Sequence, residues 1–168
     1  LWNFTNMKNI IRIGNGQGFW GDSIDAPVNL AKNGSLDYLT LDYLAEVTLS
    51  IMQRQKNKNP HLGYAQDFIS MVSRILPEIN EKKLKVITNA GGVNPEACRN
   101  KIIKLFKDQN LNIKVGIISG DDILTKIHDF HKKGISFENM ETGMAFSEIS
   151  NKIYSANVYI DSYSIANA

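Results

Sequence analysis

Short apolar segments alternate with longer amphipathic segments along this chain, at intervals of about 30 to 40 residues. Apolar runs of this length, bounded by Gly, Asn or Asp, are typical of strands covered on both faces, and the amphipathic segments are typical of helices. The predicted strands are 9–14, 35–41, 84–88, 113–119 and 156–160. The predicted helices are 25–34, 43–54, 64–76, 95–109, 122–133 and 145–153, with a last one beginning after Asp161.

This alternation predicts an α/β fold with a mainly parallel sheet, because a parallel strand needs a crossover connection. An open three-layer sheet of the Rossmann-like kind is favoured over a (βα) barrel, which stays the alternative. Both architectures gather their ligand sites at the carboxyl ends of the strands. The prediction of where a site lies therefore does not depend on the choice between them.

Residues with strong positional preferences set several predicted helix ends. Asp25 is the candidate N-cap of the first helix, and Gly34 is expected to end it in a left-handed conformation. Pro77 is expected to end the helix that starts near residue 64. Asn94 before Pro95 has the pattern of an N-cap followed by proline in the first helical position.

Composition restricts the class of protein without naming it. The chain has 168 residues, 43% of them hydrophobic, with a formal net charge of +2, so nothing favours nucleic acid or a membrane as the partner. Cys98 is the single cysteine, which excludes an internal disulfide and favours a cytoplasmic location. Residues 1–8 are expected to be an added or disordered extension, and 9–168 a single α/β domain.

The most distinctive stretch is the glycine-rich loop after the first strand. Gly16-Gln17-Gly18-Phe19-Trp20-Gly21 has the form G-x-G-x-x-G, which in dinucleotide-binding proteins lets the backbone approach a pyrophosphate. Two other interpretations stay open: a tight turn whose glycines avoid backbone strain, and a loop that contacts a different ligand with Asp22. The bulky residues inside the motif, and a helix that starts only near Asp25, count against the dinucleotide.

Carboxylates follow the predicted strands repeatedly. Asp22, Asp42, Asp121 and Asp122 all lie just past a strand, so they are expected to converge on one site. Asp42, Asp121 and Asp122 are the candidate catalytic residues, as acid/base groups or as ligands of a divalent metal. For Asp121 and Asp122 the alternative is a helix N-cap with a favourable dipole contact.

The predicted ligand-binding residues come from two loops, the glycine-rich loop and the stretch 89–94. Backbone N–H groups and amide side chains there are suited to an anion or a carbonyl, although a simple connection with an Asn cap explains 89–94 equally well. The candidates are Gly16, Gly18, Trp20, Gly21, Asp22, Asn89, Gly91, Gly92 and Asn94.

Histidine and cysteine add no chemistry of their own. His128 and His131 lie three residues apart on a predicted helix, but no third metal ligand is indicated, so no metal site is predicted. His61 is expected in an exposed loop and Cys98 in the core. No cofactor can be assigned from the sequence.

Taken together, the loops resemble the acyclic terpene utilisation protein A (AtuA) family. The resemblance rests on several stretches in the family's order. They are Ile11-Arg12-Ile13-Gly14, Gly18-Phe19-Trp20-Gly21-Asp22-Ser23, Leu36-Asp37-Tyr38-Leu39-Thr40-Leu41-Asp42-Tyr43-Leu44-Ala45-Glu46, Val86-Ile87-Thr88-Asn89-Ala90-Gly91-Gly92-Val93-Asn94-Pro95, Gly120-Asp121-Asp122 and Ala156-Asn157-Val158-Tyr159-Ile160. Asp161 departs from the family pattern, where a small residue is usual.

The resemblance implies a cytoplasmic protein that acts in the catabolism of branched acyclic terpenoids or related acyl-CoA compounds. It also implies a longer protein, of which this chain is an N-terminal fragment. The first hypothesis is therefore a catabolic enzyme core with a small acyl-type ligand. The alternatives are a nucleotide- or dinucleotide-binding module and a non-catalytic partner subunit, which would use an apolar patch over 137–146. A homo-oligomer or a partner domain from the missing C-terminal part is compatible with each hypothesis.

Overall fold

A computed structural model describes residues 10–168. They divide into two compact units, the first ending at Val115 and the second spanning Gly116–Ala168. The predicted extension 1–8 and the predicted strand residue Asn9 lie outside the described residues. No helix in the described part is long and apolar enough to cross a membrane.

The first unit is built on a three-stranded parallel sheet. Strands β1 (Ile13–Gln17), β2 (Tyr38–Leu41) and β3 (Lys85–Thr88) lie in the order β1-β2-β3. Gly14 pairs with Leu39, and Leu39 in turn with Val86, so the three strands end at one edge. The predicted α/β fold with a parallel sheet is thus confirmed, and an open sheet agrees with it.

Helices connect these strands and follow the last of them. They are α1 (Asp25–Asn33), α2 (Glu46–Lys58), α3 (Gln66–Ser73), α4 (Leu76–Asn80) and α5 (Pro95–Asp108). One continuous apolar core joins them to the sheet, and its fully buried members include Leu39, Met52, Met71 and Ile75. Cys98 belongs to this core, as predicted, and is 5% exposed.

The position of β1 corrects the sequence prediction. The strand begins at Ile13 and includes Gly14 and Gly16, whereas Ile10 and Ile11 precede it and are 67% and 58% exposed. The apolar run therefore is not a strand buried on both faces. A strand position beneath α1 has to be glycine, because the helix packs directly on the backbone. A Cβ on Gly16 would lie 2.7 Å from the Cβ of Pro27.

Several predicted boundaries also move. Asp25 is the first residue of α1 and not its N-cap. Gly34, with φ −82°, is not left-handed, and the left-handed residue after α1 is Ser35, with φ 49°. Pro77 does not end a helix but lies in the first turn of α4, where its missing N–H costs nothing. The helix predicted over 43–54 begins at Glu46, and of its residues Val47 is 69% exposed and only Met52 is buried.

The second unit contains little regular structure. Its helices are α6 (Ile127–Lys132), α7 (Phe146–Ile149) and α8 (Tyr163–Asn167), with a 3-10 turn at Ser150–Lys152. The predicted strand 113–119 is not formed, and 156–160 contributes a single antiparallel bridge between Asp122 and Asn157. An apolar run forms a strand only where a neighbouring strand shares its backbone hydrogen bonds, and neither run pairs with a strand within residues 10–168.

Candidate functional site

The glycine-rich loop closes on its own carboxylate. The backbone N–H groups of Gly18 and Phe19 donate to Asp22 Oδ2 at 2.9 and 3.2 Å. The Asp22 N–H donates back to the Phe19 carbonyl at 3.3 Å, and Gly21 turns the chain with φ 117°. The two N–H groups that would receive an anion are therefore occupied by Asp22, and α1 starts three residues later.

Trp20 anchors this loop to α3. Its indole N–H donates to Asp67 Oδ1 at 3.0 Å, in a partly buried contact between residues 47 positions apart. Phe19, by contrast, is 59% exposed. Among the aromatic residues of the loop, Trp20 thus holds the loop in place, and Phe19 is the one a ligand can reach.

The clearest pair of predicted site residues is Asp42 with Asn89. Asn89 Nδ2 donates to Asp42 Oδ1 at 2.7 Å, and the Tyr43 backbone N–H donates to Asn89 Oδ1 at 2.7 Å. The Leu44 N–H also donates to Asp42 Oδ1, at 3.1 Å. One carboxylate oxygen is therefore fixed from two sides, while Asp42 Oδ2 makes no hydrogen bond within residues 10–168.

This pair lies where the sheet topology predicts a site. Asp42 directly follows β2, and Asn89 directly follows β3, the neighbouring parallel strand. Both side chains are exposed. The Asp42 N–H donates to the Gln17 carbonyl at 3.1 Å, which links the pair to the last residue of β1. The carboxyl ends of all three strands thus meet around an oriented, solvent-accessible carboxylate.

The rest of the loop 89–94 serves the local fold. Asn94 caps α5 by accepting from the Ala97 N–H at 3.4 Å, as predicted, and its Nδ2 donates to the carbonyls of Pro60 and Leu62 at 2.8 and 2.7 Å. A Cβ on Gly91 would lie 2.9 Å from the Cβ of Pro95. These contacts leave the Asn94 amide engaged on both of its atoms.

Gly92 lies at the tightest point of that loop. Its φ is 53°, and an added Cβ would lie 2.8 Å from the Gly63 carbonyl oxygen and would overlap the Met52 sulfur. A glycine here is required by close packing, which is a complete reason for its presence in the sequence.

A second Asp–Asn pair is found in the second unit. Asn157 Nδ2 donates to Asp121 Oδ2 at 2.9 Å, and Asp122 Oδ1 accepts from the Leu124 N–H at 3.0 Å. Asp121 is half-buried and Asp122 is exposed. Gly120, with φ 124°, turns the chain before them and has no neighbour within 4 Å of an added Cβ. Asp122 thus forms a local turn, and Asp121 is the carboxylate oriented by an amide.

The histidines of α6 contact an aromatic ring. The rings of His128 and His131 lie 5.4 and 4.9 Å from the ring of Phe146, and Phe137 lies 5.6 Å from it. Phe146 is 3% exposed, so the predicted patch over 137–146 does not present it to a partner. Within residues 10–168, no three His, Cys, Asp or Glu side chains are grouped so as to hold a metal ion.

Sequence reasoning missed the buried polar residues beneath the loop. Gln17 and Tyr43 are 3% and 0% exposed. Burial is the main reason that the Tyr43 pKa is raised, and nearby Asp67 raises it further. Burial also raises the pKa of the Cys98 thiol, to about 12. The sequence pattern gives no signal for either residue, since Gln17 falls within the predicted glycine-rich loop and Tyr43 within a predicted helix.

One comparison with known proteins gives a match. The family model described as "Acyclic terpene utilisation family protein AtuA" matches residues 11–168, which is nearly the whole chain. No curated protein and no solved structure matches it.

Proposed function

The chain belongs to the acyclic terpene utilisation family AtuA, and on that premise we propose that it is a catabolic enzyme core acting on an acyl or acyl-CoA-type substrate. The observation that carries the proposal is the Asp42–Asn89 pair. A carboxylate that is exposed, held by an amide on one oxygen and open on the other has the properties of a general acid or base. The single buried thiol, Cys98, is compatible with the cytoplasmic location expected for such an enzyme.

In this proposal each group at the sheet edge has a separate role. Asp42 Oδ2 takes or delivers the proton, and Asn89 keeps the carboxylate oriented through the 2.7 Å bond to Oδ1. Phe19, exposed on a loop held by hydrogen bonds, offers an apolar contact to the acyl chain. In the second unit, taken by itself, Asp121 is oriented by Asn157 and is proposed as an acid/base group, and Asp122 remains a candidate beside it.

The predicted ligand-binding residues divide in this proposal. Gly18, Trp20, Gly21 and Asp22 shape the loop that lines the site, and Asn89 positions its carboxylate. Gly16, Gly91, Gly92 and Asn94 act through packing and capping, so their contribution to a ligand is indirect.

Binding measurements on the full chain test the proposal. Isothermal titration calorimetry measures the affinity for three compounds: an acyclic branched-chain acyl-CoA thioester, the corresponding free acid, and coenzyme A alone. Comparing them shows whether the acyl chain or the coenzyme A part of the ligand is bound. We expect the thioester to bind and Asp42→Asn to weaken it at least about ten-fold, the worth of one hydrogen bond to a charged group. Asp108→Asn is the matched control, because Asp108 is an exposed carboxylate of α5 that forms an ion pair with Lys104.

Two results would contradict the proposal. If a folded sample gives no binding heat with either the thioester or the free acid, the chain does not bind an acyl ligand. If Asp42→Asn and Asp108→Asn change the affinity for the thioester equally, Asp42 does not belong to the binding site.

The nucleotide-binding alternative has less support. Its loop would have to release Asp22 from Gly18 and Phe19 before those N–H groups could receive a phosphate. No observation in the structure favours the partner-subunit alternative over the enzyme core.

A further inference from the structure

The carboxyl end of β1 contains a β-bulge next to the candidate site. Asn15 of β1 pairs with Thr40 of β2, and the next pair along the ladder is Gln17 with Leu41. Gly16 is therefore an extra residue without a partner in β2. A bulge bends its strand and disrupts the hydrogen-bond ladder locally, so contacts outside the ladder have to hold the strand in place there.

The Asn15 side chain spans this bulge. Its amide satisfies the surrounding groups in one orientation, in which Nδ2 donates to the carbonyl oxygens of Thr40 and Gln17, both at 3.1 Å. Nδ2 also lies 3.3 Å from Thr40 Oγ1, and the Thr40 hydroxyl donates to the Gly14 carbonyl at 3.4 Å. The opposite orientation would place the amide oxygen against two carbonyl oxygens, and none of these three atoms can donate. One amide thus bonds to both strands across the extra residue.

The Gln17 carbonyl that accepts from Asn15 also accepts from the Asp42 backbone N–H, at 3.1 Å. A carbonyl oxygen has two lone pairs and can accept both bonds at once. Asn89 orients the side chain of Asp42 at Oδ1, whereas the shared carbonyl fixes the backbone of the same residue. A change in the bulge therefore changes the position from which the Asp42 carboxylate extends.

We propose that Asn15 is a positioning residue for Asp42, which it places through the shared Gln17 carbonyl. The part that Asn15 plays in acid/base chemistry rests on the proposed function of Asp42. Position matters there because proton transfer requires the carboxylate to lie within hydrogen-bond reach of the substrate. The oxygen atoms around the Asn15 amide also explain the residue type, since asparagine donates to them, whereas an ionised aspartate of nearly the same shape only accepts.

The variant Asn15→Asp removes the donor and keeps the shape of the side chain. At about pH 7 the introduced carboxylate faces oxygen atoms and cannot donate, so we expect the equilibrium constant for unfolding to rise about ten-fold. These surroundings disfavour the charged form and raise the pKa of the introduced carboxyl group in the folded state. The loss is therefore complete above the folded pKa and absent below the unfolded value of about 4, where the protonated group donates again.

Urea unfolding at about pH 7 and about pH 3.5 measures this loss against the wild type at the same pH. We expect a difference of less than about two-fold at the lower pH. Asn100→Asp is the control and should stay within about two-fold at both, because Asn100 is exposed on α5 and its side chain makes no hydrogen bond within residues 10–168. An equal loss at both pH values would assign the effect to packing, and no loss at pH 7 would mean that the amide does not hold the bulge; either result would overturn the proposal.

Hydrogen exchange separates the position of Asp42 from general stability. At about pH 7 the exchange rate of the Asp42 N–H should rise in Asn15→Asp by a larger factor than the rates of the hydrogen-bonded amides of β3, which pairs with β2 and not with β1. Equal factors at the two places would show that Asn15 does not position Asp42.

The thioester titration connects this position to the ligand. We expect Asn15→Asp to weaken thioester binding at least about three-fold at pH 7, and Asn100→Asp to leave it unchanged. If the wild type binds no thioester, the proposed function fails, and the exchange rates still decide whether Asn15 positions Asp42. If the wild type and Asn15→Asp bind the thioester equally well, Asn15 has no role at the site.

Discussion

Removal of the Asn89 side chain is the sharpest test of the candidate site. Asn89→Ala breaks two hydrogen bonds of 2.7 Å, one to the Asp42 carboxylate and one from the Tyr43 backbone N–H. A hydrogen bond to a charged group contributes about 1.5–3 kcal/mol and a neutral one about 0.5–1.5 kcal/mol. Because Asp42 and Asn89 are exposed and water can replace part of each bond, we take the lower ends, which together give about 2 kcal/mol.

The expected result is an equilibrium constant for unfolding about 30-fold higher in Asn89→Ala than in the wild type. Urea unfolding followed by Trp20 fluorescence, in a Trp2→Phe background, measures it on the unit that contains the pair. Asn33→Ala is the control, since Asn33 makes one exposed bond to the Asn29 carbonyl and should change stability by less than about 0.5 kcal/mol.

An exchange of the two side chains separates the pairwise interaction from general damage. Asn89→Asp keeps the acceptor for the Tyr43 N–H but opposes two carboxylates, so we expect it to cost at least as much as Asn89→Ala. The double variant Asp42→Asn/Asn89→Asp restores one donor and one acceptor and should recover most of the loss. If Asn89→Ala matches the Asn33→Ala control, or if the double variant is no better than Asn89→Asp alone, the reasoning is refuted.

Three further predictions concern other residues of the first unit. Gly92→Ala should destabilise by about 2–4 kcal/mol, because it combines a left-handed backbone with a clash against Met52. Gly18→Ala is the control in the same urea titration and should change stability by less than about 0.5 kcal/mol, because its added Cβ would meet only Asp22 Oδ2, at 3.7 Å. The free energy of unfolding should fall as pH rises from about 9 towards 12, because the unfolded Cys98 thiol loses a proton that the folded thiol, with its pKa of about 12, retains. The free energy should fall by about 1.4 kcal/mol per pH unit, and a Cys98→Ala variant with the same pH dependence would contradict this. Asp22→Ala should free two backbone N–H groups and create weak binding of inorganic phosphate that the wild type lacks, and calorimetry in which neither protein binds phosphate would count against an anion site in this loop.

The local pattern of the sequence predicts two of the three strands and the edge of the sheet at which the candidate site lies. The runs around Leu39 and Val86 are short, apolar and followed by polar loops, and they form the central and third strands. Since parallel strands end together, the loops that follow them are expected to meet at one edge of the sheet. Two of these loops do meet in the structure, through the 2.7 Å hydrogen bond between Asn89 and Asp42, and the convergence of all four aspartates stays a prediction.

What the pattern could not reveal is the packing of glycine. Gly16 and Gly92 look alike in a sequence, as members of loops suited to an anion. In the structure they lie against Pro27 and Met52, and each is required because a side chain would have no room. A glycine motif shows where the chain has no side chain, but it does not show whether a ligand or another part of the protein lies next to the bare backbone. Which of the two is present depends on contacts between residues far apart in the sequence.

The same limit applies to the carboxylates. Asp22, Asp42 and Asp121 each follow an apolar run, but their surroundings give them different chemistry. Asp22 Oδ2 accepts from two backbone N–H groups of its own loop, whereas Asp42 and Asp121 each accept from an asparagine that follows or lies in another predicted strand. An amide partner orients a carboxylate and leaves its negative charge in place, whereas a lysine or arginine partner would neutralise that charge. A recurring Asp–Asn pair is therefore a better reason to propose acid/base groups in this chain than the glycine motif is. The variant Asp42→Asn tests whether the pair contacts a ligand, and Asn89→Ala tests whether the hydrogen bonds that orient its carboxylate contribute to stability.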